Sequence, residues 1–361
     1  MLRKPVARID LTALQHNLRQ VRQLAPESKV LAVLKANAYG HGMLKVAEQL
    51  QQADAFGVAR LDEALSLRAG GVVKPIVLLE GFFDADELPQ IVASNLQVVV
   101  HQQEQVDAIV AAELDAPIRV WLKMDTGMHR LGLMPEHYQT AYQRLSQSPN
   151  CLPAFRLMSH FACADDRQSP DTQAQLQCFY HHSQGLAGEV SLANSAGVLA
   201  WPESHQQWVR PGIMLYGVSP MLQQQAMPIE LKPVMTLCSR VIAVRSIAAG
   251  ETVGYGSAWQ TPQATRLAVV AIGYGDGYPR NVPNGTPVLV HGKRYPIVGR
   301  VSMDMLTIDI GTDAVQSGDE VVLWGQGLPV AEIAAKVGTI PYELLCNITP
   351  RVDFHYNSSA L

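Results

Sequence analysis

The sequence lacks the features of a disulfide scaffold, a membrane protein and a nucleic-acid-binding protein. Its five cysteines are odd in number and form no CxxC pair, so neither a disulfide framework nor a thiolate metal site is expected. No uninterrupted apolar run is long enough to span a bilayer, and a net charge of -4 provides no basic excess for nucleic acid. Residues 1–5 lead into no long apolar segment, so we expect no signal peptide. These absences favour a cytoplasmic globular protein with reduced thiols.

What the sequence does contain is an alternation of apolar strand-like runs and helix-like segments over its first two thirds. Eight such strand–helix units are the number that a (β/α)8 TIM barrel needs. A doubly wound open sheet is the competing interpretation, but it requires a glycine-rich phosphate turn after its first strand, and the turn at Gly40 and Gly42 lacks that fingerprint. The eight runs are residues 29–36, 55–59, 75–80, 96–101, 118–125, 155–161, 190–194 and 208–216.

The pattern changes near residues 221–233. Residues 221–228 are typical of a connector, and several of the later apolar runs alternate with polar residues, as in strands that are buried on one face. One helical pattern covers 330–337. The sequence therefore predicts an α/β chain, with a barrel over residues 1–230 and a mainly β domain over 231–361. The later strand-like runs are 236–244, 267–271, 288–291, 305–310 and 320–324.

A single lysine, Lys35, ends the first predicted barrel strand and precedes a turn with two glycines. Lysine is almost never fully buried unless it is paired or used chemically. It either extends from the strand end to solvent, or it is an amine held at the mouth of a pocket to form a Schiff base.

The stretch Val33-Leu34-Lys35-Ala36-Asn37-Ala38-Tyr39-Gly40-His41-Gly42 resembles the lysine motif of bacterial alanine racemases, which are fold type III enzymes dependent on pyridoxal 5'-phosphate (PLP). In that family the lysine carries the cofactor covalently, which implies the same role for Lys35. The resemblance extends over essentially the whole chain. Its other motifs are residues 123–130, 208–217, 254–256, 273–279 and 299–304.

Polar residues interrupt the apolar runs where predicted strands end, which is where barrel enzymes place their reactive groups. A structural role is possible for each of them, and it is the favoured one for His160 taken alone. Their joint position at one rim of the barrel nevertheless favours a site. These residues are Lys35, Tyr39, Lys123, His160, Asn194, Ser195 and Arg210, and the backbone of Gly212 and Ile213 follows Arg210.

The hydroxyl of Ser195 and the backbone of Gly212 and Ile213 follow strands seven and eight, the position where barrels bind phosphate. A turn serine is the alternative for Ser195. The resemblance implies that these three residues hold the PLP phosphate together with Tyr39, and that Asn194 and His160 also border the cofactor.

Arg210 is the most diagnostic residue of the group. Arginine cannot be deprotonated in a protein, so an arginine that faces the pyridine nitrogen leaves this nitrogen unprotonated and makes PLP a weaker electron sink. This property suits a racemase, whereas a related decarboxylase is expected to present an acidic residue. An arginine in a structural ion pair is the alternative. The resemblance implies that Arg210 faces the nitrogen and is tied to His160.

Racemisation needs two bases, one on each face of the planar carbanion. Lys35 is the candidate for one face. Tyr255 lies between two glycines in the second domain, and the resemblance implies that it is the second base, contributed by the other subunit of a homodimer. A turn aromatic on the surface is the alternative.

Arg130 is the candidate for binding the substrate carboxylate, since the planar guanidinium group can donate two parallel hydrogen bonds to a carboxylate. In the family, the lysine that matches Lys123 is often carbamylated and orients this arginine. A pair between Lys123 and Asp125 is the alternative.

The resemblance further implies that Tyr274 and Met303 narrow the site of the partner subunit and that Asp304 lies close to it. Many family members also have a gate tyrosine near the C terminus, and this chain has Pro350 there.

The sequence and this resemblance together predict an alanine racemase that supplies D-alanine for peptidoglycan, without a metal. The alternatives are a racemase of broader range, a non-catalytic PLP-binding barrel protein and a PLP decarboxylase.

Overall fold

The computed structural model describes residues 4–222 and 229–357. Most of the predicted connector, residues 223–228, lies outside the described residues, as do residues 1–3 and 358–361. The described chain begins with β1 (Val6–Asp10) and α1 (Leu11–Leu24). Asp10 caps the helix, because its carboxylate accepts the backbone N–H groups of Thr12 and Ala13 at 2.8 and 2.9 Å.

A closed barrel of eight parallel strands follows within residues 4–222. Apolar side chains fill these strands because both of their faces are covered, by the barrel interior and by the helices. The strands are β2 (Lys29–Val33), β3 (Ala55–Val58), β4 (Ile76–Leu78), β5 (Leu96–Val100), β6 (Arg119–Lys123), β7 (Phe155–Met158), β8 (Gly188–Ser191) and β9 (Trp208–Val209). The helical segments are α2 (Lys35–Gly40), α3 (Met43–Gln49), α4 (Leu61–Ala69), α5 (Leu88–Ala93), α6 (Gln103–Ala111), α7 (Pro135–Gln147), α8 (Asp171–His182) and α9 (Ser195–Ala200).

The second sheet has eight strands among the described residues. Its strands after β1 are β10 (Met235–Ile247), β13 (Thr265–Val270), β14 (Pro287–Val290), β15 (Lys293–Pro296), β16 (Leu306–Gly311), β17 (Glu320–Trp324) and β18 (Asp353–Asn357). They run in the order β15-β14-β17-β10-β1-β18, with β13 on β10 and β16 on β13. A separate hairpin pairs β11 (Thr252–Val253) with β12 (Trp259–Gln260), and two helices complete the unit, α10 (Val330–Val337) and α11 (Pro341–Cys346). The predicted barrel followed by a mainly β domain is confirmed.

The first strand does not join the barrel. β1 pairs antiparallel with β10, with Val6 opposite Cys238, and parallel with β18, with Val6 opposite Asp353. The start of the chain is therefore built into the second sheet. The division at residues 230 and 231 stays a prediction.

The last barrel strand is shorter than the sequence predicts. The run 208–216 forms a strand only as far as Val209, and Ile213–Tyr216 form a short 3-10 helix. Pro211 has no backbone N–H for a strand ladder, and Gly217 ends the helix with a φ of 84°, which glycine adopts readily. The end of the eighth unit thus becomes a loop at the barrel rim.

Helix α11 connects the second domain to the barrel. It packs on α2, and a side chain at Gly40 would collide with the carbonyl oxygen of Leu345. The ring centroids of Tyr39 and Tyr342 lie 5.8 Å apart across this contact. The second domain therefore rests on the turn that follows Lys35. None of the helices in the described ranges is long and apolar enough to cross a membrane.

Candidate active site

The segment after Lys35 has an unusual backbone. Ala36, Asn37, Ala38 and Tyr39 all lie in the left-handed region, with φ of 52–55° and ψ of 41–52°. A left-handed turn costs L-residues roughly 1–2 kcal/mol each, so the surrounding structure must hold this one in place. The turn keeps the half-buried Lys35 at the rim of the barrel.

Three side chains hold the turn in place. The Glu63 carboxylate accepts the backbone N–H of Ala36 at 2.7 Å and that of Ala59, just after β3, also at 2.7 Å. Asn37 accepts the backbone N–H of the first residue of α3 at 2.9 Å. His41 Nδ1 lies 2.8 Å from the carbonyl oxygen of Tyr39. Burial lowers the pKa of His41 to about 4, so the ring is neutral and Nδ1–H donates.

Tyr39 itself is fixed by aromatic stacking. Its ring centroid lies 4.9 Å from that of Tyr216, which in turn stacks on His41 at 4.6 Å. The Tyr216 hydroxyl donates to the carbonyl oxygen of Val33 at 2.9 Å. Burial raises the pKa of Tyr39, so its hydroxyl stays protonated and can donate to an anion.

The residues predicted to hold phosphate converge beside this hydroxyl. Ser195 Oγ accepts the backbone N–H groups of Gly212 at 2.8 Å and Met214 at 3.3 Å. A Cβ atom at Gly212 would lie 2.5 Å from the Tyr39 hydroxyl oxygen, so only glycine fits there. Because Ser195 Oγ accepts from both amides, the hydroxyls of Ser195 and Tyr39 remain as donors for an anion such as a phosphate dianion, next to the backbone of Gly212.

Two predicted neighbours of the cofactor have structural contacts of their own. Asn194 caps α9, because its side-chain oxygen accepts the backbone N–H of Gly197 at 2.9 Å. The side chain of Ile213 is buried in the barrel core. A role for either residue in binding a ligand stays a prediction.

Arg210 is buried, and both of its terminal nitrogens are hydrogen-bonded. Its Nη1 donates to the carbonyl and the hydroxyl oxygen of Ser191, both at 2.7 Å. Its Nη2 donates to the carbonyl oxygens of Ser159 at 2.6 Å and Leu192 at 3.2 Å. Burial lowers the pKa of Arg210 to about 10, which still leaves it charged at neutral pH. The guanidinium is therefore a fixed positive charge inside the barrel.

His160 lies next to that charge, with its Nδ1 3.4 Å from Arg210 Nη2. Burial lowers its pKa well below the usual value, and the charges of Arg210 and Lys123 add to the effect. A guanidinium can only donate, so His160 Nδ1 is the acceptor and the ring proton resides on Nε2. The predicted tie between Arg210 and His160 is present in the structure.

Lys123 ends β6 and is buried among positive charges. Burial, followed by Arg210 and Arg130, lowers its pKa to about 8, and Lys35 contributes in the same direction. No ion pair joins Lys123 to Asp125 in the described ranges. Together these side chains form a cation cluster, which we define as Lys35, Lys123, Arg130 and Arg210. Such a cluster favours an anionic ligand.

The loop that carries Arg130 is organised by Asp125 instead. Its carboxylate accepts the backbone N–H groups of Gly127 at 2.9 Å and His129 at 3.0 Å. A side chain at Gly132 would collide with the backbone of Asp125. Arg130 is exposed at this loop, within electrostatic reach of Lys123 and His160.

The residues predicted in the second domain lie apart from this group. Tyr255, Tyr274 and Met303 are 69%, 38% and 52% exposed. Asp304 is exposed and pairs with Arg351 at 2.6 Å. Among the described residues, none of these four takes part in the hydrogen bonds around Arg210. One chain thus presents two surfaces, the barrel rim with Lys35 and a face that carries Tyr255.

Sequence reasoning missed Glu63 and the aromatic role of Tyr216. Glu63 is one of two acidic residues in the first turn of α4, where acidic residues are common, so nothing local distinguishes it. Tyr216 falls within a run that was predicted to be a strand. Only the three-dimensional structure places both beside Lys35 and Tyr39.

Known proteins resemble this chain over nearly its whole length. Residues 9–220 match the family model for the alanine racemase N-terminal domain, and residues 234–356 match that for the C-terminal domain. An alanine racemase from Vibrio cholerae is 56% identical over 98% of this chain and 99% of its own length. The crystal structure of the biosynthetic alanine racemase from Pseudomonas aeruginosa has a TM-score of 0.94 at 45% identity, covering 99% of this chain and 100% of that one. The alanine racemase from Bartonella henselae, solved with covalently bound pyridoxal phosphate, has a TM-score of 0.89 at 31% identity, covering 98% and 99%.

Proposed function

The chain belongs to the alanine racemase family of isomerases, and we propose that it interconverts L- and D-alanine with PLP as its cofactor and with two bases. The observation that carries this proposal is the cation cluster at one barrel rim, where Lys35 and the buried Arg210 lie beside the convergent donors of Ser195 and Tyr39.

The residues of the rim fit PLP. The hydroxyls of Ser195 and Tyr39, with the backbone of Gly212 and Ile213, would hold its phosphate, in a space that a side chain at residue 212 would fill. Lys35 would hold its aldehyde carbon. When bound, PLP supplies a conjugated ring that withdraws electrons from the substrate Cα.

Arg210 would set how strongly that ring withdraws electrons. A guanidinium fixed by three carbonyl oxygens has no proton to give at neutral pH. Beside the ring nitrogen of bound PLP it would leave this nitrogen unprotonated, so the cofactor would supply a weaker electron sink, which favours prompt return of a proton to Cα. An acidic residue at this position would favour decarboxylation or transamination instead.

Two bases would exchange the proton at Cα. Lys35 serves one face of the substrate, and Tyr255 of the partner subunit serves the other, so that each active site of a homodimer draws on both chains. One base accepts the Cα proton and the other donates a proton to the opposite face. The exposure of Tyr255 in the single chain supports a surface that a second copy covers.

The substrate carboxylate would pair with Arg130. Lys123 would orient this arginine as a carbamate, because a lysine with a pKa of about 8 has a neutral fraction that can react with carbon dioxide. Tyr274, Met303 and Asp304 of the partner subunit would narrow the mouth so that a methyl side chain fits and larger ones are disfavoured.

The proposed role is supply of D-alanine for peptidoglycan, and the proposed compartment is the cytoplasm. All five cysteines fall within the described residues and are free thiols, which supports a reducing environment.

A racemase of broader substrate range is the second candidate. Pro350 stands where many family members have a gate tyrosine, so one obstacle to larger side chains is missing. This candidate has the same cofactor and the same bases, and it differs only at the mouth of the site.

One experiment separates these outcomes. The purified protein is examined for an absorbance band near roughly 420 nm, which is typical of PLP bound to a lysine, and circular dichroism then follows L-alanine and L-serine solutions. We expect the band, with loss of the L-alanine signal and little loss of the L-serine signal. Loss of both signals would favour the broader racemase. A protein with the band that leaves both signals unchanged would be a PLP carrier, and a protein that does not bind added PLP would contradict the proposal.

A further inference from the structure

Arg351 bridges two carboxylates on different segments of the second domain. Its Nε lies 3.1 Å from Asp276 Oδ1, and its Nη2 donates to Asp304 Oδ1 at 2.6 Å. Asp276 is almost fully buried, with 3% of its side chain exposed, whereas the arginine is 49% exposed. The guanidinium therefore connects a buried anchor to a carboxylate at the surface.

The two bridged segments carry the side chains proposed to narrow the mouth of the site. The backbone N–H of Tyr274 donates to the Ser302 carbonyl oxygen at 3.1 Å, and that of Gly275 donates to the Met303 carbonyl oxygen at 2.9 Å. Asp276 also accepts the backbone N–H of Gly273 at 3.0 Å. Residues 273–277 and 301–304 are thus paired through their backbones, with Asp276 and Asp304 at their ends.

A third segment, which contains Thr349, places Arg351 over the two paired backbone segments. The Thr349 hydroxyl donates to the Gly275 carbonyl oxygen at 2.9 Å, and the Thr349 backbone N–H donates to the Asp276 carbonyl oxygen at 3.2 Å. A Cβ atom at Gly275 would collide with Arg351 Nη1, and one at Gly277 would collide with the Asn347 carbonyl oxygen. The arginine follows directly after Pro350, where the gate tyrosine of many relatives is missing.

We propose that Arg351 is the residue that sets selectivity for alanine in this chain, by fixing the segments of Tyr274 and Met303 relative to each other. The inference rests on the proposed function, because it assigns these side chains to the mouth of a racemase site. Arg351 is a positioning residue and touches no reacting atom. In the absence of the gate tyrosine, the width of the mouth depends on how firmly these two segments are held.

Arginine suits this role and lysine does not. A planar guanidinium presents separate nitrogen atoms to two carboxylates at fixed angles, whereas an ammonium group is a single point charge. The pair with Asp304 is exposed and contributes little to folding, and Asp276 keeps the backbone N–H of Gly273 when the arginine is lost, so variants of Arg351 should fold. The substitutions should instead change the selectivity of the enzyme between alanine and serine.

The test compares Arg351→Gln and Arg351→Lys holoenzymes with the unchanged protein, by racemisation of alanine and of serine. We expect kcat for alanine to stay within about twofold, KM for alanine to rise, and the ratio of kcat/KM for serine to that for alanine to rise about fivefold to tenfold. Arg351→Lys should resemble Arg351→Gln, because the charge is kept and the fork is lost.

Arg294→Gln is the matched control. Arg294 is 51% exposed and makes a similar forked pair with Glu332, at 2.5 and 3.0 Å, on β15 and α10. Its loss should leave the serine-to-alanine ratio unchanged. An equal change in both variants would assign the effect to general destabilisation and would overturn the proposal.

Hydrogen exchange provides a readout that does not need activity. The backbone N–H of Gly275 should exchange faster in Arg351→Gln than in Arg294→Gln, because its bond to Met303 opens more often. If the unchanged protein does not racemise alanine, the proposed function fails. Hydrogen exchange then still tests whether Arg351 holds the segments of Tyr274 and Met303 together. Unaltered exchange at residues 273–277, or an unaltered selectivity ratio in an active enzyme, would overturn the role of Arg351.

Discussion

The carboxylate of Glu63 accepts the backbone N–H of Ala36, the residue directly after Lys35, at 2.7 Å. Its second oxygen accepts the backbone N–H of Ala59 at the same distance. One side chain thereby joins the left-handed turn after Lys35 to the end of the neighbouring strand β3. The position of the lysine therefore depends on a residue that lies 27 positions beyond Ala36 in the chain.

Replacing Glu63 should weaken binding of PLP. Hydrogen bonds to charged groups contribute about 1.5–3 kcal/mol each, and part of this stabilises the turn. We expect Glu63→Ala to raise the dissociation constant of PLP about tenfold, and Glu63→Gln to give a smaller increase, since its amide keeps one acceptor. Titration of the cofactor-free protein with PLP measures the effect. Glu48→Ala, which removes a surface pair with Lys45, is the control, and equal losses in the two variants would contradict the role of Glu63.

The contact between Gly212 and Tyr39 predicts a partial rescue. Gly212→Ala should weaken PLP binding, because the new methyl group would lie 2.5 Å from the Tyr39 hydroxyl oxygen. Tyr39→Phe removes that oxygen and also one proposed phosphate donor. The double variant should therefore lose less affinity than the sum of the two single losses, as expected for residues in contact. Strict additivity in the PLP titrations would argue that the two groups do not meet.

Arg210→Glu should change the products of the reaction. A carboxyl group can protonate the ring nitrogen, which strengthens the electron sink and lengthens the life of the charge on Cα. We expect slower racemisation and more transamination, detected as pyruvate formed per alanine racemised. Arg210→Gln has no acidic proton to transfer to the nitrogen, so it should lower the rate without raising the pyruvate ratio. An unchanged ratio in Arg210→Glu would contradict the assignment of Arg210.

The fold could be predicted from the sequence because each barrel strand is a short apolar run between helical patterns. The helix over 330–337 was predicted with the bounds that the structure has. Helix α11 was missed, because six residues give no clear periodicity. The run that ends at Tyr216 was assigned to a strand, although Pro211 interrupts the ladder.

The candidate site was only partly predictable. Polar residues at strand ends located the rim, because a parallel barrel brings those ends together. The left-handed turn could not be predicted, since two of its four residues are alanines, which do not favour positive φ, and Glu63 imposes the conformation from a distant helix. The proposed role of Tyr255 came from family resemblance, because nothing in one chain brings it to Lys35.

His41 should make stability depend on pH. Its pKa is about 4 in the folded protein, against an ordinary value of 6.5, because the ring is buried. Between these values the unfolded chain takes up a proton that the folded chain excludes, so the free energy of unfolding falls as pH falls from 6.5 to 4. The loss attributable to His41 is about 3 kcal/mol when complete, and no loss occurs above this window.

Urea unfolding of the cofactor-free protein between pH 7.5 and 4.5 measures this slope. His41→Asn retains a donor near the Nδ1 position and does not titrate, so its stability should decline less with acid. His181→Asn, at an exposed position of α8, is the control. Parallel curves for His41→Asn and the unchanged protein would show that His41 does not couple folding to pH.

The separation of Lys35 and Tyr255 on one chain predicts complementation between defective subunits. Lys35→Ala lacks one proposed base and Tyr255→Phe lacks the other. A mixed dimer would contain one site with both bases intact and one with neither. Random reassembly makes half of the dimers mixed, so activity should recover to about a quarter of that of the unchanged protein.

The measurement is alanine racemisation after the two variants are dissociated together and reassembled. Mixing Lys35→Ala with a Lys35→Ala/Tyr255→Phe double variant should restore nothing, since neither partner supplies the lysine. If the first mixture shows only the average of its two components, both bases of a site belong to the same chain, and the surface that carries Tyr255 has another purpose.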